Sequence, residues 1–237
     1  WGDFPKRSNC RLISYAASIG IDTPTEDELS VIRQNIASIE NVSVREESAK
    51  RILRHFTDQR IEVVLDPVFL LDSTQWRQLI INIQLKQKYL LIYNINASKL
   101  VSDIAEVLAF LKGLTIIEIL PDGRSLRKIY KHTIFEKAGP SEFVTLFAHA
   151  EYVVTSSFHG TAFSLIFNKQ FVTVAHPTTG SRQRDLLARI GLSDRIVSSV
   201  DDLPTTDVDY SILNERLDIE RRKSLDFLER ALGVKEE

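Results

Sequence analysis

The chain has 237 residues, of which 43% are hydrophobic and 26% are charged, a balance typical of a globular protein with a large buried core. Its 30 basic and 32 acidic residues give a formal net charge of -2. That near-neutral balance argues against the basic surface of a protein that binds nucleic acid or anionic membranes. We therefore predict no nucleic-acid partner.

The types and order of the residues narrow the class of protein further. Cys10 is the single cysteine, and no cysteine and histidine cluster has metal-ligand spacing, so we expect no metal and no cofactor. No run approaches the roughly 18 to 20 apolar residues of a membrane span, so we expect no integral membrane segment and a cytoplasmic location. The chain begins at Trp1 and contains no methionine, and we expect its N-terminal half to be incomplete.

Apolar runs of strand length alternate with segments of helical period, a pattern typical of α/β proteins with parallel sheets. The first block is predicted to contain strands at 11–17, 41–44 and 61–65 and helices at 26–36, 46–56 and 75–85. The second block is predicted to contain strands at 89–94, 115–120, 152–155, 171–175 and 195–197 and helices at 101–111, 141–150, 161–167, 182–190 and 211–232. We predict an N-terminal Rossmann-like domain at 1–85, a C-terminal one at 86–215, and a helix at 216–237 that crosses back.

The most informative segment follows the predicted strand at 152–155 and reads SSFHG, from Ser156 to Gly160. Ligands of open α/β sheets bind where such strands end, and the N-H groups at a helix start attract anions. His159 is a candidate acid or base, because an unperturbed histidine pKa of about 6.5 permits proton exchange near neutral pH. The alternative interpretation is a capped turn with a packed histidine.

A longer stretch around this loop carries a resemblance to a known family. Residues 139–143 (GPSEF) and 150–164 (AEYVVTSSFHGTAFS) resemble the signature region of the polysaccharide pyruvyl transferases, as do 14–20, 43–48, 66–71 with Trp76, and 91–93. The resemblance implies a GT-B-like architecture of two Rossmann-like halves with the active site in the cleft between them. It also implies a phosphoenolpyruvate donor, a sugar or lipid-linked oligosaccharide acceptor, and a cell-surface glycan as product.

The same resemblance implies roles for individual residues. His159 would transfer the proton, and the donor phosphate would contact Ser156, Ser157, Phe158, Gly160 and Thr161. Independently of the resemblance, His176 is a reserve acid or base, because it lies in the loop after the predicted strand at 171–175. Arg45 and Arg182 would bind the donor's phosphate and carboxylate, for which a planar guanidinium is well suited. Two alternatives remain open: Arg45 could pair with Glu46 or Glu47 on the surface, and Arg184 could replace Arg182. We expect the donor in the C-terminal block and the acceptor in the N-terminal block.

Two other functions remain open on the sequence. A GT-B glycosyltransferase would bind a nucleotide-sugar through the same kind of loop and would need a ribose-binding acid, for which Asp185 and Asp194 are the candidates. A catalytically silent carbohydrate-binding relative is the third possibility.

Overall fold

A computed structural model describes residues 10–21, 23–85, 87–120, 133–136 and 138–233. The described residues form two compact units. Unit 1 comprises the described parts of Trp1–Leu70, Pro177–Ile190 and Ser211–Glu237, and unit 2 comprises those of Leu71–His176 and Gly191–Tyr210. Within the described part of the chain, no helix is both long enough and apolar enough to cross a membrane.

Unit 1 is built on a three-stranded parallel sheet of β1 (Ile13–Ala17), β2 (Asn41–Val44) and β3 (Ile61–Val63), in that order. Helix α1 (Glu26–Ile36) connects β1 to β2, and α2 (Glu47–Leu53) connects β2 to β3. A capping box between Thr25 and Glu28 starts α1 by satisfying backbone N-H groups that have no partner inside the helix. The apolar faces of both helices bury the sheet and form one core cluster.

Two later helices complete unit 1: α7 (Ser181–Ile190), and α8 (Tyr210–Leu232) from Ser211 onward. Asp185 of α7 accepts a hydrogen bond of 3.0 Å from the N-H of Ser48 at the start of α2. Arg189 of α7 forms an ion pair with Glu220 of α8. These contacts explain a difference from the prediction, which assigned residues 177–190 to the C-terminal domain.

The predicted domain boundary near residue 86 also differs from the observed division, which falls after Leu70. The predicted helix at 75–85 is replaced by a short α3 (Ser73–Trp76) and a 3-10 turn (Arg77–Leu79). This segment packs on unit 2, because the Trp76 ring contacts Phe163 edge-on with centroids 4.9 Å apart. The N-H of Ile81 also donates to Thr145 Oγ1 at 3.0 Å.

Unit 2 contains a five-stranded parallel sheet, so the predicted α/β class with parallel sheets is confirmed. Its helices are α4 (Lys99–Lys112), α5 (Pro140–His149) and α6 (Phe158–Ile166). Its strands, in spatial order, are β6 (Thr133–Phe135), β5 (Thr115–Ile119), β4 (Tyr89–Tyr93), β7 (Tyr152–Thr155) and β8 (Gln170–Thr173).

Two details of this sheet differ from the sequence prediction. Strand β6 was not predicted, and the basic loop at 121–132 that precedes it lies outside the described residues. In place of the predicted strand at 195–197, a single bridge joins Ile196 to Thr173.

Candidate functional site

The strand order of unit 2 reverses direction between β4 and β7, which creates a topological switch point at the carboxyl ends of these two strands. Polar side chains join the strands at this point: Ser156 Oγ donates to Asn94 Oδ1 at 3.1 Å. The Ser98 N-H donates to the same Asn94 oxygen at 3.0 Å. The predicted SSFHG segment therefore begins at the place where open α/β sheets bind ligands.

Helix α6 starts unusually close to strand β7. A Cβ atom on Gly160 would lie 2.2 Å from Thr155 Oγ1, so only glycine fits without displacing the helix. Thr155 Oγ1 in turn donates to the Tyr93 carbonyl at 2.7 Å and accepts the Ser157 N-H at 3.0 Å. The close approach fixes the first turn of α6 over the ends of β4 and β7.

The helix begins three residues earlier than predicted, at Phe158 rather than Thr161, so His159 belongs to its first turn. His159 is exposed, whereas Phe158 is buried and contacts the histidine ring edge-on with centroids 5.5 Å apart. Ser157 is the N-cap residue and makes no side-chain capping bond. The first turn therefore combines backbone N-H groups, a positive dipole end and an exposed imidazole.

Two other residues of the prediction, Thr161 and His176, differ in where the structure places them. Thr161 is fully buried, and its hydroxyl donates to the Ser157 carbonyl at 3.2 Å. His176, the reserve acid or base, is half-buried beyond the end of β8 and is the last residue before the chain enters unit 1. Of the histidines considered for proton transfer, His159 is the one in the first turn of α6.

The two predicted arginines lie in unit 1. Arg45 follows β2 directly, and its Nη1 forms an ion pair with Oδ2 of Asp66, a buried residue beyond the end of the neighbouring strand β3. Asp66 Oδ1 accepts the Val68 N-H at 3.1 Å, so both carboxylate oxygens are bonded. The Arg45 side chain is 19% exposed, so Arg45 does not form the surface ion pair that was the alternative prediction.

Glu46 is the second carboxylate beside Arg45. It is 1% exposed, and its Oε2 lies 4.0 Å from Arg45 Nε. Its Oε1 accepts hydrogen bonds from the Ser18 hydroxyl at 2.7 Å and the Ile19 N-H at 2.9 Å, in the segment after β1. Burial raises the pKa of Glu46 above its ordinary value, although the hydrogen bonds and Arg45 oppose the shift.

Arg182, in the first turn of α7, completes the cluster. Burial lowers the pKa of its guanidinium, and repulsion from Arg45 lowers it further. Glu46 and Asp66 act in the opposite direction, which places Arg182 within electrostatic reach of all three groups. Unit 1 thus gathers two guanidinium groups and two carboxylates beyond the carboxyl ends of β2 and β3; we call these four residues the unit 1 charge cluster.

Sequence reasoning did not identify Asn94, Glu46 and Asp66 as site residues. Asp66 follows the predicted strand at 61–65, which pairs in parallel with the strand before Arg45, and neighbouring parallel strands end at the same edge. Glu46 was considered only as a surface partner of Arg45. Among the described residues, no group of three histidine, cysteine, aspartate or glutamate side chains could hold a metal ion.

Solved structures that resemble this chain include two UDP-GlcNAc 2-epimerases. A UDP-GlcNAc 2-epimerase from Methanocaldococcus jannaschii is 16% identical, with a TM-score of 0.51 over 84% of this chain and 62% of that chain. The Neisseria meningitidis UDP-GlcNAc 2-epimerase is 14% identical, with a TM-score of 0.49 over 91% of this chain and 62% of that chain. The first likeness confirms a GT-B-like fold, of which this chain spans about three fifths.

A family profile matches most of the chain, whereas no curated protein sequence matches the chain. The profile of the polysaccharide pyruvyl transferases matches residues 2–177, which include β1 to β8, the SSFHG segment and Arg45. The chain therefore belongs to the polysaccharide pyruvyl transferase family, a family of transferases.

Proposed function

We propose that this protein transfers the pyruvyl unit of phosphoenolpyruvate to two hydroxyls of a sugar in a cell-surface glycan or its lipid-linked precursor, forming a ketal. The observation that carries the proposal is the position of the SSFHG segment. In a member of this family, it places an exposed histidine and a helix N-terminus at the switch point of the unit 2 sheet.

The proposed reaction proceeds in two stages. A proton is added to the methylene carbon of the donor, and one sugar hydroxyl attacks the adjacent cationic carbon and loses its own proton. The C-O bond to phosphate then breaks, phosphate leaves, and the second sugar hydroxyl adds to the same carbon and loses its proton. The products are a cyclic ketal and inorganic phosphate, so the site must bind a strongly anionic donor.

The residues of unit 2 fit this requirement. The first-turn N-H groups of α6 and the positive end of its dipole would bind the phosphate. His159 would supply the proton, because an imidazolium can donate near neutral pH and this ring is exposed. Ser156 holds the loop in place through Asn94, and Gly160 permits the close approach of the helix. Arg45 and Arg182 remain proposed contacts of the donor's charged groups.

A nucleotide-sugar glycosyltransferase is less well supported, because both candidate ribose-binding acids have other partners in the structure. Asp185 caps α2 through the Ser48 N-H. Asp194 forms an ion pair of 2.9 Å with the buried Arg195. Both carboxylates thus have structural partners.

Thermal unfolding in the presence of candidate donors tests the proposal. A ligand that binds only the folded state raises the stability by about 2.7 kcal/mol at a hundred times its Kd. We expect phosphoenolpyruvate to raise Tm and UDP-GlcNAc to leave it unchanged. Release of phosphate from phosphoenolpyruvate on addition of a sugar acceptor would then establish transfer. Stabilisation by UDP-GlcNAc alone would refute the proposal in favour of a glycosyltransferase, and stabilisation by neither would favour a silent relative.

A further inference from the structure

The unit 1 charge cluster carries an inference beyond the assignment of Arg45 and Arg182 to an anion. In this cluster two guanidinium groups are matched by two carboxylates, Glu46 and Asp66. An anion that approaches the arginines adds a third negative charge. Like charges within about 4 to 6 Å raise the pKa of a carboxyl group, so binding favours protonation of one of the two acids.

The hydrogen bonds identify which carboxylate accepts that proton. Both oxygens of Asp66 accept hydrogen bonds, from Arg45 and from the Val68 N-H, and both bonds favour the charged form. In Glu46, Oε1 accepts hydrogen bonds from Ser18, Ile19 and Gly20 of the segment after β1, whereas Oε2 lies 4.0 Å from Arg45 Nε. Its Oε2 is buried and accepts no hydrogen bond from any residue that the structure describes. A proton on Oε2 therefore breaks no hydrogen bond.

The surroundings of Glu46 support the same choice. Glu46 has Arg45 beside it and accepts hydrogen bonds from the Ser18 hydroxyl and the Ile19 and Gly20 N-H groups; Asp66 pairs with Arg45, and Arg182 of α7 lies within electrostatic reach. Burial already raises the pKa of Glu46, so a modest further rise on anion binding brings protonation closer to neutral pH. Neutral Glu46 leaves one uncompensated positive charge in the cluster.

We propose that anion binding at Arg45 and Arg182 is coupled to uptake of a proton by Glu46. The carboxylate balances the arginines while the site is empty, and it becomes neutral when an anion takes its place as their counter-charge. This inference rests on the proposed function in taking phosphoenolpyruvate as the physiological anion. The coupling makes anion affinity depend on pH through a residue that need not contact the donor.

Isothermal titration calorimetry in buffers with different ionisation enthalpies measures the protons taken up on binding. Phosphoenolpyruvate, pyruvate and inorganic phosphate are titrated between about pH 5 and 8 into the wild type, Glu46→Gln and Glu47→Gln. The glutamine imitates the neutral acid and keeps a carbonyl oxygen for Ser18 and Ile19. Glu47→Gln is the matched control, because it makes the same change at the neighbouring exposed position in the first turn of α2.

We expect the wild type and Glu47→Gln to take up a fraction of one proton more than Glu46→Gln does. Protons that the ligand itself exchanges are common to all three proteins, so they cancel when the uptake of one protein is subtracted from that of another. Wild-type affinity should weaken relative to Glu46→Gln by up to about tenfold per pH unit above the pKa of Glu46. Arg45→Ala should remove the difference. Binding of phosphoenolpyruvate with equal proton uptake in wild type and Glu46→Gln would overturn the coupling and leave the proposed function intact.

Another result would support the proton coupling while refuting the proposed function. Binding of pyruvate or phosphate with proton uptake that requires Glu46, without binding of phosphoenolpyruvate, would support the coupling and refute the proposed donor. Failure of all three anions to bind would overturn both.

Discussion

The close packing of α6 on β7 predicts that Gly160→Ala destabilises unit 2 and displaces the proposed phosphate site. The new methyl group would lie 2.2 Å from Thr155 Oγ1 and 2.9 Å from Thr155 Cβ, well inside van der Waals contact. Relief requires either a shift of the helix start or a rotation of Thr155. Rotation would break the bonds of Thr155 Oγ1 to the Tyr93 carbonyl and the Ser157 N-H.

The change in the free energy of unfolding follows from two destabilising effects and one stabilising effect. Overpacking costs about 1 to 3 kcal/mol, and two weakened hydrogen bonds cost about 1 kcal/mol each. Alanine is a better helix residue than glycine by about 1 kcal/mol, which offsets part of the loss. We expect the free energy of unfolding to fall by about 2 to 4 kcal/mol. Binding of phosphoenolpyruvate should weaken as well, because the first-turn N-H groups move.

Urea unfolding followed by tryptophan fluorescence measures this loss. Trp76 packs against Phe163 of α6 and reports on the right region, and a Trp1→Phe background removes the other tryptophan. Gly139→Ala is the control, since its methyl group would meet only the flexible end of Glu142 at the start of α5. Its expected cost is about 1 kcal/mol, because alanine is a poorer N-cap than glycine.

A double-mutant cycle refines the test of this contact. Thr155→Ala removes the oxygen and methyl group that clash with the new Cβ, so Gly160→Ala should cost less in that background than in the wild type. A loss below about 0.5 kcal/mol for Gly160→Ala alone would refute the argument from packing.

Four further predictions follow from the same structure. His159→Gln and His159→Ala should abolish pyruvyl transfer in an acceptor assay while Tm stays near the wild-type value, because the ring is exposed; turnover near the wild-type rate would move the proton to His176. Arg45→Ala should weaken phosphoenolpyruvate binding by about tenfold to a hundredfold in calorimetry, with partial rescue in Arg45→Lys, and unchanged affinity would exclude Arg45 from the site. The raised pKa of Glu46 means that the folded protein binds its proton more tightly than the unfolded chain does. The stability of the wild type relative to Glu46→Gln should therefore be greatest below the ordinary glutamate pKa and decline as pH rises through the folded value; a flat difference in Tm across that range would contradict the burial argument. Asp185→Ala should cost about 1 kcal/mol in chemical unfolding through the lost cap on α2, whereas Asp194→Ala at a half-exposed ion pair should cost less, and equal losses would count against the capping role.

The sequence predicted most strands of the two sheets, and the strand-to-helix turn at SSFHG, because their signals are local. Strand β7 ends in a β-branched run of Val153, Val154 and Thr155, and the small residues after it allow a helix to start close by. The predicted helix start was late because Phe158 and His159 were interpreted as loop residues. In the structure, Ser157 has an extended backbone and the helix follows immediately. The role of Gly160 depends on one distance to Thr155, which no pattern of residue types encodes.

The charge cluster of unit 1 could be predicted only in part, because its members come from distant parts of the chain. Parallel pairing of β2 with β3 is enough to bring Arg45 near Asp66, and this inference was available from the strand pattern. The strand pattern did not indicate that α7 packs in unit 1, because that packing depends on tertiary contacts between segments that are distant in the sequence. Asp185 caps α2, Arg189 pairs with α8, and Arg216 of α8 donates to the Ile190 carbonyl at 2.8 Å.

The packing of α7 in unit 1 also determines which charged groups surround Arg182. Because α7 belongs to unit 1, Arg182 lies within electrostatic reach of a second arginine and two acids. Two adjacent guanidinium groups in a half-buried setting repel each other, and the acids that relieve this repulsion also oppose an incoming anion. Glu46 is the member of the cluster that can resolve this conflict, because it can become neutral without losing a hydrogen bond at Oε2.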